Sequence, residues 1–271
     1  IPVGVLGLNG GDKEMILAFA REVAGNTDPK RKDKTDSLLI SHKGKLIFES
    51  YYRRGRQNLP HFQMSITKSY TAFALGRAMQ LGYLTMDDLN KPVVGFLKEV
   101  DQSKLVEGAD KVTLAEALNM HSGVKLTREK IMKYKGNPEL LEGQKQIQAY
   151  FEDSNPIPPA PRKFGYKAAD PAMIMQVLEV LVPGSAEDFI RKELMGRMGI
   201  TEYAWQDDTS GLPKSAAGSS FRSRDMLKFG MLIRDKGKWK GEQLIPATFM
   251  KRAVSPISLG WGTNYYGYFC W

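Results

Sequence analysis

Strand signals stand at both ends of this chain, and helix signals fill the stretch between them. That order points to a sheet-containing lobe built from both termini with a helical lobe inserted. Residues 36–52 read as a β-hairpin: Leu38, Ile40, Leu46 and Phe48 are apolar and strand-favouring, and His42-Lys43-Gly44-Lys45 supplies the turn. At the other end, the aromatic-rich run from Tyr265 to Trp271 reads as a strand, and Trp205 falls in an extended segment. The expected fold class is α+β of the α/β sandwich type, an antiparallel sheet flanked by helices with an inserted mostly helical domain. The expected boundaries are residues 1–84 and 206–271 for the sheet lobe and 85–205 for the insertion.

The helix signals are local and mostly explicit. Residues 58–64 read as a loop, after which Tyr70, Phe73, Ala74, Ala78 and Leu81 fall near one helical stripe that Gly82 stops. Thr85 with Asp88, and Thr113 with Glu116, have the spacing of capping boxes; Pro92 limits the first helix and His121-Ser122-Gly123 closes the second. Pro156, Pro158, Pro159 and Pro161 stiffen a loop. Asp170 is expected to cap a helix with Pro171 at its first position, running to about Leu181. Ser185 with Asp188 opens a further helix that Gly199 closes; Ser223 opens one to about Arg234, and Pro246 a short one.

Composition narrows the chemistry. With 271 residues, 42% of them hydrophobic, the chain can bury a substantial core. Its one cysteine, Cys270, leaves no partner for a disulfide within the chain. The three histidines, His42, His61 and His121, lack metal-ligand spacing, so neither a metal nor another cofactor is expected. No apolar run reaches the roughly 18–20 residues of a membrane span, and the opening Ile1 to Gly7 is too glycine-rich and too short of basic residues for a signal peptide. The net charge is +9, with basic clusters at Lys30-Arg31-Lys32 with Lys34 and at Arg53-Arg54 with Arg56. No nucleic-acid motif accompanies them, so they read as solvated faces and no nucleic-acid partner is expected; a basic surface still attracts anionic substrates.

The stretch that carries chemistry is His61-Phe62-Gln63-Met64-Ser65-Ile66-Thr67-Lys68. A serine at the mouth of a helix gains from the positive end of the helix dipole, which favours developing negative charge on its oxygen. Residues three apart share a helix face, so Lys68 can reach Ser65. An ammonium has no lone pair and serves as a base only after losing a proton, which a desolvated cleft promotes. Taken locally, Ser65 reads equally well as an ordinary N-cap. A second Ser-x-x-Lys, Ser122-Gly123-Val124-Lys125, straddles a helix end, so its two side chains are not expected to share a face.

These residues resemble a superfamily, the penicillin-recognising serine hydrolases, and within it the class C β-lactamase-like branch with family VIII carboxylesterases, D-aminopeptidases and aminohexanoate-oligomer hydrolases. Met64 to Ser69 is similar to the nucleophile helix of that family, Leu81 to Asp88 to the segment after it, Met120-His121-Ser122-Gly123 to a loop usually ending His-Thr-Ser-Gly, and Ser223 to Gly230 to a late helix. The resemblance implies that Ser65 is the nucleophile and Lys68 part of the proton-transfer machinery, with the site between the two lobes. It also implies that Tyr166, in Phe164-Gly165-Tyr166-Lys167-Ala168, takes the proton from the serine and passes it to the leaving group. Ala168 stands where the family carries an amide or hydroxyl, a departure that weighs against β-lactam hydrolysis more than against simple esters or amides. The family's third motif is expected after the late helices, and nothing like it follows them up to Trp271.

The activity expected is hydrolysis of a small ester or amide through an acyl-enzyme on Ser65. The alternatives are a β-lactamase or D-amino-acid peptidase, and, from another class, a non-hydrolytic penicillin-binding-like sensor. The resemblance implies a bacterial protein, periplasmic or secreted ahead of cytoplasmic. Phe62, Tyr70, Trp205 and Tyr265 read as packing residues that could also line a pocket; oligomeric state has no sequence signal.

Overall fold

A computed structural model describes residues 1–25 and 35–271. The basic run Lys30-Arg31-Lys32 with Lys34 lies outside the described residues. In chain order the longer elements are α1 (Lys13–Gly25), β1 (Ser37–His42), β2 (Lys45–Tyr51), β3 (His61–Phe62), α2 (Thr67–Gln80), α3 (Leu114–Leu118), α4 (Arg128–Gly136), α5 (Lys145–Glu152), α6 (Ala169–Leu181), α7 (Ala186–Phe189), β4 (Tyr203–Trp205), β5 (Ser219–Phe221), α8 (Ser223–Arg234) and α9 (Ala247–Ala253). The fold is mixed α and β, as the sequence implies.

The chain divides into two compact units. The first comprises residues 1–62, 202–204 and 220–235. Its hairpin pairs β1 with β2 antiparallel, turning at Lys43 and Gly44, both at positive φ. Gly44 takes that conformation without penalty, which is why a glycine serves the turn. The chain's start adds an edge, with Gly4 N–H donating to the Leu46 carbonyl at 2.9 Å and Leu46 N–H to that of Pro2 at 2.8 Å. Helix α8 packs on β1, and the Ser37 and Ser223 hydroxyls meet at 2.8 Å. Arg224 reaches back to Glu49 on β2 with both Nε (2.8 Å) and Nη2 (2.5 Å), a two-point grip that holds the Glu49 carboxyl below its usual range. Beside this, β5 pairs with β3 and β4, and Tyr203 stacks on Phe221 at 5.5 Å between ring centres.

The second unit comprises residues 63–201, 205–219 and 236–271. Its centre is α2, read from sequence as one-sided but in fact buried at every residue except Ser69 and Gln80. A helix enclosed all round needs close neighbours, and Gly76 supplies one approach: a Cβ there would stand 2.7 Å from Ile245 and 2.8 Å from Phe249 of α9. Helix α6 packs against both α2 and α3. The cap Thr113 accepts from Glu116 N–H at 3.2 Å while the Glu116 carboxylate accepts from Thr113 N–H at 2.9 Å, the reciprocal box that fixes the start of α3. Gly82, at φ 84, ends α2 as expected.

Three local expectations are corrected. Asp170 does not cap α6; the helix begins at Ala169, the cap position is Ala168, and no side chain caps it. The Asp170 carboxylate instead accepts from Ser122, N–H at 3.2 Å and hydroxyl at 2.6 Å. The helix that Ser185 opens passes after Phe189 into a π-helical stretch, Ile190–Gly196. The run from Tyr265 to Trp271 forms a strand only at Tyr265–Tyr266, paired with Ser258–Leu259; beyond it Phe269 turns to φ 55 and donates its N–H to the Leu118 carbonyl at 3.0 Å. Among the described residues no helix is long and apolar enough to cross a membrane.

Candidate active site

All three residues singled out from sequence fall in the second unit, and the structure brings them together. Ser65 sits in a 3₁₀ turn, Met64–Ile66, that runs into α2. The turn is reached through Met64 at φ 46, a conformation a side chain rarely adopts. It is held from both ends. Gln63 N–H donates to the Ser219 carbonyl at 2.8 Å, the Tyr70 hydroxyl donates to Gln63 Oε1 at 3.1 Å, and Ile66 N–H closes on the Gln63 carbonyl at 3.1 Å. Ser65 is thereby exposed at the amino end of a 14-residue helix, where backbone N–H groups lack helical partners.

Lys68, one turn on, is only 4% exposed. Its ammonium donates to Ser65 Oγ at 3.1 Å and to the Ala216 carbonyl at 2.7 Å, and it lies 4.7 Å from the centre of the Tyr166 ring. The contact with Tyr166 is thus to the ring face, a cation–π arrangement. The segment bearing Ala216 is tied to α2 on either side. The Thr71 hydroxyl donates to the Ser215 carbonyl at 3.0 Å, the Thr67 and Ser219 hydroxyls meet at 2.8 Å, and Ser219 N–H reaches Thr67 Oγ1 at 3.3 Å. Thr67, Thr71, Ser215 and Ser219 are all buried, so each bond forms away from competing water.

Tyr166 arrives on the loop before α6. Gly165 N–H donates to the Met120 carbonyl at 2.8 Å, and Lys167 turns away to the Val124 carbonyl at 3.1 Å, with Asp170 3.9 Å from its ammonium. Around the Tyr166 ring stand Trp261 (5.1 Å between ring centres), Trp271 (5.8 Å) and Tyr266 (6.0 Å). Burial pushes the Tyr266 phenol far above its ordinary pKa. Behind the loop, Asp170 is fully buried, and burial raises its carboxyl to about 6 against the opposing pull of Lys167 and Ser122.

Two cavities adjoin the cluster. The larger, 1130 Å³, is walled by Tyr166 and Ala168 together with residues from 123–169 and Thr209. The smaller, 520 Å³, shares Tyr150, Ala168 and Thr209 with it and extends to Asp207, Asp208 and Ala216. Ala168, with no polar side-chain atom, stands where the two meet.

Of the other residues considered, Tyr70 packs edge-on against Trp205 at 6.4 Å, and neither they nor Phe62 and Tyr265 wall either cavity. His121 Nδ1–H donates to the Arg162 carbonyl, and Nε2 meets the Ser258 hydroxyl at 2.7 Å. Ser122 is committed to Asp170, and its sequence partner Lys125 is exposed. No group of metal-ligating side chains occurs among the described residues. The Ala216 carbonyl was not read from sequence, because a backbone acceptor has no letter of its own; the small-residue run Ser215-Ala216-Ala217-Gly218-Ser219 is the signal that permits so close an approach to α2.

The cluster is thus a serine at a helix mouth, a buried lysine donating to it and a tyrosine ring over that lysine. The β-lactamase family profile matches residues 26–268, and the chain belongs to that family. No curated protein matches it. Among solved structures, a Bacillus anthracis protein provisionally named a 6-aminohexanoate-dimer hydrolase superposes with a TM-score of 0.71 at 17% identity, over 99% of this chain and 72% of that one. FmtA from Staphylococcus aureus gives 0.67 at 14% identity, over 99% and 77%. A penicillin-binding protein from Bacillus halodurans gives 0.63 at 17% identity, over 86% and 78%. At these identities the likeness is one of fold.

Proposed function

We propose that this protein is a serine hydrolase that cleaves a small ester or amide through an acyl-enzyme on Ser65. The observation that carries the reading is the 3.1 Å hydrogen bond from the buried Lys68 ammonium to Ser65 Oγ. In the first half-reaction Lys68, having given up one proton to become the neutral amine, takes the proton of Ser65 Oγ as that oxygen bonds to the carbonyl carbon, and Tyr166 assists the transfer toward the leaving group. The same proton is delivered to the leaving oxygen or nitrogen as the bond from carbon to that atom breaks. The Ser65 backbone N–H, at the positive end of α2, serves as a donor to the oxyanion. Water then adds to the acyl carbon, gives up a proton along the same path, and Ser65 Oγ departs with it. The methyl of Ala168 offers no hydrogen bond where the family carries an amide or hydroxyl, which weighs against β-lactams more than against simple esters or amides.

The test is labelling with a fluorophosphonate and turnover of a 4-nitrophenyl ester by wild type and Ser65→Ala. Labelling and turnover that disappear in the variant support the reading; equal signals in both proteins overturn it.

A further inference from the structure

The loop after α3 holds a second serine and base that the proposed reaction does not use. Ser258 Oγ and His121 Nε2 meet at 2.7 Å, and the other ring nitrogen, Nδ1, meets the Arg162 carbonyl. A carbonyl oxygen only accepts, so Nδ1 carries a hydrogen at that contact. The neutral ring then has its lone pair at Nε2, facing the serine hydroxyl. A hydroxyl, an imidazole within hydrogen-bond reach of it and a third group that orients the imidazole are the parts of an activated nucleophile.

Each part is fixed from behind. His121 N–H donates to the Glu116 carbonyl at 2.8 Å. Arg162, whose carbonyl orients the ring, is only 6% exposed; its Nε donates to the Pro158 carbonyl at 2.8 Å and its guanidinium pairs with Glu116 at 2.5 Å. Ser258 stands in the short strand paired with Tyr265–Tyr266, flanked by bonds from Ile257 N–H to the Tyr266 carbonyl at 3.1 Å and from Gly260 N–H to that of Asn264 at 2.8 Å. Both Ser258 and His121 keep part of their surface open to solvent. Ser122 does not: its hydroxyl bond to the Asp170 carboxylate is fully buried. Beside the open pair lies an aromatic surface. Phe164 stands edge-on to His121 at 6.1 Å between ring centres, Trp261 is 6.3 Å beyond it, and Trp261 is 58% exposed. Such a surface receives a flat ring in stacked or edge-on contact.

We propose that Ser258 is a second nucleophile with His121 as its general base, and that it takes the acyl group of aryl esters slowly and independently of Ser65. Ser258 Oγ bonds to the acyl carbon as its proton passes to His121 Nε2. The bond from that carbon to the aryl oxygen breaks, and the same proton goes to the departing phenolate, leaving Ser258 acylated. Ser258 lies on a strand and lacks the helix amino end that Ser65 has. Missing an oxyanion donor costs about 10²–10³-fold in rate, which sets Ser258 behind Ser65.

The experiment uses Ser65→Ala protein, so its result does not depend on what Ser65 does. Over the short exposure that labels Ser65 in wild type, the variant should stay blank. An exposure about 10²–10³ times longer to the same fluorophosphonate is expected to label Ser258, located by peptide mass spectrometry, as Oγ bonds to phosphorus and fluoride leaves. Long incubation with 4-nitrophenyl acetate is expected to leave an acetyl group on the same residue. Adding His121→Asn should slow this labelling about 10²-fold or more. The asparagine offers an amide N–H to the Arg162 carbonyl but no base to Ser258, and an unchanged urea midpoint checks that the fold is kept. With His121→Ala in its place, free imidazole should restore the labelling, which a merely structural histidine does not predict; this rescue decides the matter if the asparagine variant is destabilised. No label on Ser258 after the long exposure overturns the proposal. So does labelling at an unchanged rate in His121→Asn, or an alanine variant that imidazole fails to rescue. Absence of fast labelling in wild type, with slow labelling of Ser258 intact, counts against the hydrolase reading and leaves the second nucleophile standing.

Discussion

The fully buried carboxylate of Asp170 accepts a 2.6 Å hydrogen bond from the Ser122 hydroxyl, joining the first turn of α6 to the loop that follows α3. Burial raises this carboxyl to about 6, above its value of about 3.9 in an unfolded chain. A raised carboxyl pKa means that the folded state holds the proton more tightly. Its contribution to stability is therefore complete below about pH 4 and is lost as pH rises through 6. Urea unfolding from pH 4 to 7 should show wild type losing about 2 to 3 kcal/mol more than Asp170→Asn over that interval. Parallel pH profiles for the two proteins would refute the assignment.

Lys68 should matter to rate far more than to folding or substrate affinity. Lys68→Ala is expected to lower kcat on a 4-nitrophenyl ester by about 10²–10⁴-fold with little change in KM. Circular dichroism of the variant should retain the helical signal of wild type. A change confined to KM would contradict a role in proton transfer.

The pair Thr67 and Ser219 makes a prediction about stability. Thr67→Val keeps the shape but removes the hydroxyl that meets Ser219 Oγ and accepts from Ser219 N–H. Leaving those buried groups unpartnered should cost about 1 to 3 kcal/mol in urea unfolding. The double variant Thr67→Val, Ser219→Ala should recover part of that loss, because one of the stranded hydroxyls is then absent.

Arg77, 2% exposed on α2, depends on Glu193 at 2.8 Å for its charge partner. Glu193→Ala should therefore destabilise the protein by about 3 kcal/mol, since a buried guanidinium left without its partner is costly. Replacing Arg77 by Met together with Glu193→Ala should restore most of the loss, a result that chemical denaturation can read directly.

How much of this was legible beforehand depends on how local each cause is. Helix α8 runs from Ser223 to Arg234 as expected, and the Thr113–Glu116 box opens α3, because caps are written within four residues. The contact of Lys68 with Ser65 was readable for the same reason, the two being one turn apart. Asp170 was misread as a cap because its real partner, Ser122, is 48 residues away. The aromatic end of the chain looked like a strand, yet Tyr266 and Trp271 pack on Phe164 and Tyr166, a contact that alternation within the segment cannot reveal. The family resemblance placed Tyr166 in the right neighbourhood, but not the fact that Lys68 meets its ring face.

That last contact has a consequence for control of the reaction. One aromatic ring is at once a wall of the larger cavity and the surface on which the ammonium rests. In the proposed reaction, any occupant that tilts the ring would tilt the seat of the proton carrier with it. Recognition and readiness to react would then be a single mechanical variable, set by the angle of one phenol between its tryptophan neighbours.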